Sequence, residues 1–100
     1  MGVFLNTKRG EKMPTISMFY GIVVRMLKEN TERHKLPHIH AKYNDYEISL
    51  TLNGKRLKGK MPVKQLNLLK AWIAIHEEEL KANWELIKNG EQTFRIDPLK

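Results

Sequence analysis

Three of the four histidines fall close together, in the stretch His34-Lys35-Leu36-Pro37-His38-Ile39-His40. An imidazole with an ordinary pKa of about 6.5 exchanges protons at neutral pH, and in its neutral form it ligates metals. Two kinds of chemistry are therefore open to these residues. In the first, His38 and His40 sit at i and i+2 on one strand face and hold one metal ion, with His34 as a third ligand from the preceding loop. An open fourth position would make such a centre hydrolytic. The chain has no cysteine, and the nearest carboxylate on a predicted strand is Glu47. His34, His38 and His40 are thus the only metal candidates, and no resident cofactor is expected.

In the second, the same imidazoles act beside cations, as in metal-independent ribonucleases. Lys42, Arg56 or Lys58 would stabilise a pentacoordinate phosphate while a histidine moves the proton. Two histidines two residues apart approach a substrate from the same side, whereas an in-line acid and base need opposite sides. A catalytic set would therefore need His34 or another residue as well as His38 and His40. Against both stands a plainer reading, in which the histidines are surface residues bonded to backbone or to cross-strand hydroxyls such as that of Ser49.

The elements that position these residues can be read from periodicity. After Pro37, which lacks an N–H and suits a strand entry, Ile39, Ala41 and Tyr43 alternate with His38, His40 and Lys42. The first set points to a core and the second away from it. Asn44-Asp45 makes a two-residue turn, and Tyr46, Ile48, Leu50 and Leu52 return on the core side. That turn pairs Ile39 with Leu50, Ala41 with Ile48, His40 with Ser49 and Lys42 with Glu47. Core residues then meet core residues, and a lysine meets a glutamate. Asn53-Gly54 signals a second hairpin, which would pair Leu50 with Leu57 and Ser49 with Lys58. The outer face would carry His38, His40, Lys42, Glu47, Ser49, Thr51, Arg56, Lys58 and Lys60, joined by Arg25 from an earlier strand.

Upstream, residues 15–28 are rich in β-branched and aromatic types and read as one strand with a bend or bulge at Gly21. Residues 28–35 are polar and read as a loop. Downstream, Pro62 suits a helix start and Gly90 a stop. Leu66, Leu69, Ile73, His76, Leu80, Trp84 and Ile87 recur at helical spacing, as one long helix or as two with a bend near His76 to Glu79. His76 reads as a core or rim residue, and Trp72 and Trp84 as core or subunit-contact residues. Thr93 to Asp97 alternates and suits a short edge strand. The expected fold is α+β: an antiparallel meander of three or four strands with one face covered by the C-terminal helix.

Composition bounds the function. One hundred residues, 41% of them hydrophobic and 29% charged, make one ordinary globular domain over residues 13–100. Residues 1–12 read as a basic leader, and Met13 as an alternative start. No apolar run suits a membrane span or a signal peptide, so a cytoplasmic protein without a membrane partner is expected. The net charge of +7 lies entirely within residues 1–60, because residues 61–100 carry as many acids as bases. Such one-sided charge suits nucleic acid, an acidic protein or an anionic metabolite. A wide apolar helix surface also suits a homodimer or a partner protein.

Several of these motifs together resemble domain-of-unknown-function family 4160, small prokaryotic proteins with a PPHFH-like box. They are Met13-Pro14-Thr15-Ile16-Ser17, Phe19-Tyr20-Gly21-Ile22, Pro37-His38-Ile39-His40, the Tyr43 to Glu47 hairpin, Trp84 and Asn89-Gly90-Glu91. The resemblance runs over residues 13–100 and departs at Leu36, where the family usually has a proline. By this resemblance the box histidines fall on His38 and His40, and an upstream histidine on His34. The kinship implies a place in a toxin–antitoxin pair, encoded beside a cognate small protein. The expected function is a small basic interaction module that binds nucleic acid or a protein partner through Arg25, Lys42, Arg56, Lys58 and Lys60. The alternatives are a histidine-dependent ribonuclease-type toxin and a metal-binding regulatory domain.

Overall fold

The structure is a computed structural model, and it describes residues 14–27 and 36–100. The leader 1–12, the loop 28–35 and with it His34 lie outside the described residues. The fold is α+β. Five strands, β1 (Thr15–Phe19), β2 (Ile22–Arg25), β3 (His38–Tyr43), β4 (Tyr46–Thr51) and β5 (Arg56–Gly59), form an antiparallel meander in chain order. Two helices follow, α1 (Val63–Ile75) and α2 (Glu77–Lys88). No helix among the described residues is long and apolar enough to cross a membrane.

The sheet has more strands than the pattern suggested because the stretch from Thr15 is itself a hairpin. Phe19 pairs with Ile22 across a two-residue turn in which Tyr20 and Gly21 both have positive φ, 48° and 80°. Two left-handed residues match the twist of paired strands. Tyrosine is an unusual first residue for such a turn, so Gly21 alone marked the place, as a bend or bulge and not as a hairpin. Gly21 also lies under Tyr43, whose Cε1 would be 3.1 Å from an added Cβ.

The β3–β4 hairpin follows the expected register throughout. Ile39 pairs with Leu50, His40 with Ser49, Ala41 with Ile48, Lys42 with Glu47 and Tyr43 with Tyr46, around a turn in which Asn44 has φ 53°. The second hairpin differs. Thr51 N–H donates to Lys55 O (2.8 Å) and Gly54 N–H to Thr51 O (2.9 Å), so the loop is Leu52-Asn53-Gly54, three residues closed by a left-handed glycine at φ 88°. The extra residue puts Arg56, not Leu57, opposite Leu50. An irregularity after that pair restores the register, so Ser49 meets Lys58 as expected. Leu57 is left exposed, while Leu52 tucks its side chain into the core from the loop.

One sheet face carries Phe19, Ile22, Val24, Ile39, Ala41, Ile48 and Leu50, all buried. Leu69, Trp72 and Ile73 of α1 and Leu80, Trp84 and Ile87 of α2 join them in one apolar core. The Trp72 ring lies 5.2 Å from that of Phe19, which fixes α1 over the first hairpin. The helical run breaks at His76, between α1 and α2, where φ and ψ are −110° and 26°. Glu77, Glu78 and Glu79 occupy the first turn of α2, where carboxylates meet the positive end of the helix dipole. His76 Nδ1 binds the Glu79 carboxylate, and its ring lies 5.5 Å from that of Trp72. Gly90, at φ 75°, ends α2, with Gly90 N–H donating to Ile87 O and Glu91 N–H to Leu86 O.

The expected edge strand at Thr93 to Asp97 does not form. The buried Asn83 amide takes both backbone groups of Phe94, donating from Nδ2 to its oxygen and accepting from its N–H, each at 2.9 Å. Trp72 Nε1 donates to Asp97 O (2.8 Å), and Ile96 N–H donates to Ile16 O (2.8 Å). These bonds seat Ile96 in the core. Helix side chains thus satisfy backbone groups that a neighbouring strand would otherwise take.

Two predictions follow from this packing. Asn83→Ala removes both bonds to Phe94 and lowers unfolding free energy by about 2 kcal/mol; urea denaturation measures it, with faster proteolysis within residues 91–100. Gly59→Ala places a Cβ 2.2 Å from Glu47 O on a backbone at φ 83°. It is expected to cost at least about 1–2 kcal/mol and to raise amide exchange in β5; wild-type stability would refute it.

Candidate functional site

The register brings Arg25, His40, Ser49 and Lys58 into one row across β2, β3, β4 and β5, since each is the Cα partner of the next. At the usual strand spacing of about 4.8 Å the row spans roughly 14 Å. The next row along the strands holds Val23, Lys42 and Glu47 in the same way. Beside this second row, Lys60 N–H donates to Glu47 O (3.0 Å). Both rows lie on the sheet face opposite the core. They line a groove of about 420 Å³, with Leu27, Ala41, Ile48 and Gly59 completing its walls.

Within the groove His40 is half-buried, and its Nδ1 lies 3.1 Å from Ser49 Oγ, a hydrogen bond whose donor depends on the ring tautomer. This is the cross-strand hydroxyl partner that the plainer reading named. It also holds the imidazole between Arg25 on one neighbouring strand and Ser49 on the other. Lys42 and Lys58 are exposed at the groove. Gly59 lets β5 close on Glu47, as its missing side chain requires, and so carries Lys58 into the row.

The other expected site residues fall elsewhere. His38 has the outer-face parity but is buried, with 1% of its surface exposed. Its Nδ1–H donates to Leu36 O (2.7 Å), and its ring lies 5.3 Å from that of Trp84 and edge-on, at 5.1 Å, to that of His40. Alternation assigns a face but not what covers it, and here Trp84 of α2 packs against the strand entry. His38 therefore packs edge-on beside His40 and does not line the groove. Arg56 is displaced by the three-residue loop, and its Nη1 donates to Gly59 O (3.4 Å) on its own strand. Neither Arg56 nor Lys60 lines the groove. His34 lies outside the described residues, and no group of three metal-ligating side chains occurs among those that are described.

Val23, Leu27 and Glu47 line the groove without having been singled out as site residues. Glu47 was legible as the cross-strand partner of Lys42. Val23 was hidden because its strand was read together with β1, and Leu27 because it follows the last paired residue of β2. Chemically, the groove offers three cations, one imidazole, one hydroxyl and one carboxylate. The cations and the hydroxyl suit a phosphate, and the imidazole can bind one or exchange a proton with a bound group.

A search among curated proteins and solved structures finds no match to the chain. A family model described as "Domain of unknown function (DUF4160)" matches residues 21–85, from the turn of the first hairpin through most of α2. That span contains both rows of the groove and the buried His38, and covers well over half of the chain, which therefore belongs to the DUF4160 family.

Proposed function

We propose that this chain is a small basic binding module that holds the sugar–phosphate backbone of a nucleic acid on its outer sheet face, acting in the cytoplasm as one member of a toxin–antitoxin-like pair. The observation that carries the binding part is the row Arg25–His40–Ser49–Lys58. Residues far apart in sequence converge there on one open groove, with a cation at each end. The toxin–antitoxin setting rests on the family resemblance. A histidine-dependent ribonuclease would use the same groove, with His40 as its imidazole. The burial of His38 counts against a His38/His40 pair as acid and base.

The binding reading makes a quantitative prediction. If Arg25, Lys42 and Lys58 each neutralise a phosphate, the affinity for a short single-stranded oligonucleotide falls with salt at a log–log slope of about −2 to −3. Arg25→Ala and Lys58→Ala should each reduce that slope by about one unit. Fluorescence anisotropy across a salt series measures both. Absence of binding, or binding indifferent to salt, would sink the reading.

The toxin role is tested separately. Expression is expected to arrest growth, and His40→Ala to relieve the arrest while leaving the fold intact by circular dichroism. His40 is the informative position, because replacing the buried His38 would also disturb packing against Trp84. Unimpaired growth on expression of the wild-type chain would count against a toxin.

A further inference from the structure

Glu47, the cross-strand partner of Lys42, is the one carboxylate in a groove otherwise suited to anions. It is exposed, sits on the same face as Ser49 and lies two residues before it on β4, at a rise of roughly 6.8 Å. Its backbone is held from both sides, by pairing with Lys42 on β3 and by the Lys60 N–H on the β5 side. A carboxylate there weakens the pull of the neighbouring cations on any phosphate. It accepts hydrogen bonds and donates none, so it suits a ligand that presents a donor one short step from its phosphate.

A ribose hydroxyl meets that requirement. The 2′-hydroxyl donates and accepts, and it is the group by which a protein tells RNA from DNA. A carboxylate that accepts from a ribose hydroxyl is a recognised arrangement in dinucleotide-binding proteins. The rise from Ser49 to Glu47 is on the scale of the step from a nucleotide's phosphate to its sugar hydroxyl. The groove, at about 420 Å³, has the size of a small-ligand site and suits one nucleotide unit. Its apolar wall at Val23 and Leu27 offers a surface for a sugar or base.

We infer that the groove takes one ribonucleotide unit, with its phosphate on the Arg25–His40–Ser49–Lys58 row and its 2′-hydroxyl donating to Glu47, so that Glu47 selects RNA over DNA. This inference rests on the nucleic-acid reading above and names its substrate class.

The test compares the full chain with Glu47→Ala and Glu47→Gln by anisotropy. The probes are a single-stranded RNA, the same sequence as DNA, and its 2′-fluoro form, which keeps an RNA-like sugar but has no donor. The wild-type chain should prefer RNA over both other strands by about tenfold, the scale of one charge-assisted hydrogen bond. Glu47→Ala should bind all three at least as tightly as wild type does the DNA, with the preference gone. Glu47→Gln keeps a carbonyl acceptor without the charge and should keep part of the preference, about threefold. Equal binding of RNA and 2′-fluoro RNA by the wild type, or an unchanged preference in Glu47→Ala, would overturn the inference while leaving the binding module intact. If no strand binds, the proposed function fails and the inference falls with it. Competition by uridine monophosphate but not by its 2′-deoxy form would identify the ligand as a free ribonucleotide; competition by RNA alone would identify a strand.

Discussion

The pairing of β3 with β4 is the constraint on which the rest of the structure depends. Side chains alternate with a period of two, so a slip of one residue there would turn every inward side chain of one strand outward against its partner. With β3 in place, Ile48 and Leu50 of β4 would leave the core and Ser49 would enter it. Burial of Ile39, Ala41, Ile48 and Leu50, together with the tight Asn44-Asp45 turn, holds the register. The outer face is a consequence of that choice. His40 meets Ser49 because Ile39 must meet Leu50.

Around that pair the sheet grows on both sides by devices that serve the same alignment. The Tyr20-Gly21 turn folds the first segment back, so that Val24 lies beside Ala41 and Arg25 beside His40. On the other side a three-residue loop shifts β5 by one position, and an irregularity next to Leu50 shifts it back. The two shifts cancel where Ser49 meets Lys58. Arg56 lies within the displaced stretch and turns back on its own strand. Gly59 then allows the close approach to Glu47 that a side chain would forbid. The cations of the groove are thus set by backbone geometry more than by their spacing in sequence.

The helices cover the core face and also close the start of β3. Trp84 packs against His38, which places a histidine of the Pro37–His40 box inside the protein and leaves its neighbour at the groove. The C-terminal segment is held by a different logic. Asn83 and Trp72 offer side-chain donors and acceptors to Phe94 and Asp97, so the segment lies against β1 with one backbone bond to it and no strand pairing. A buried asparagine in the middle of an amphipathic helix has this structural use.

The sequence by itself determined what depends on local alternation and turn chemistry. The α+β class, the β3–β4 register, the Ser49–Lys58 pair, the His40–Ser49 contact, the core position of Trp72 and the possible break at His76 were all legible. Hydrophobic periods and Asn-containing turns report directly on such features. Tertiary structure decided what depends on packing from outside the segment. It buried His38 under Trp84, split the first strand at a turn whose first residue is a tyrosine, and removed Arg56 from the face by a one-residue change in loop length. It also shaped the outer face that carries Glu47, Arg25 and Lys58 into a groove. Each of these depends on which distant element lies alongside, and a period of two or of 3.6 residues carries no record of that.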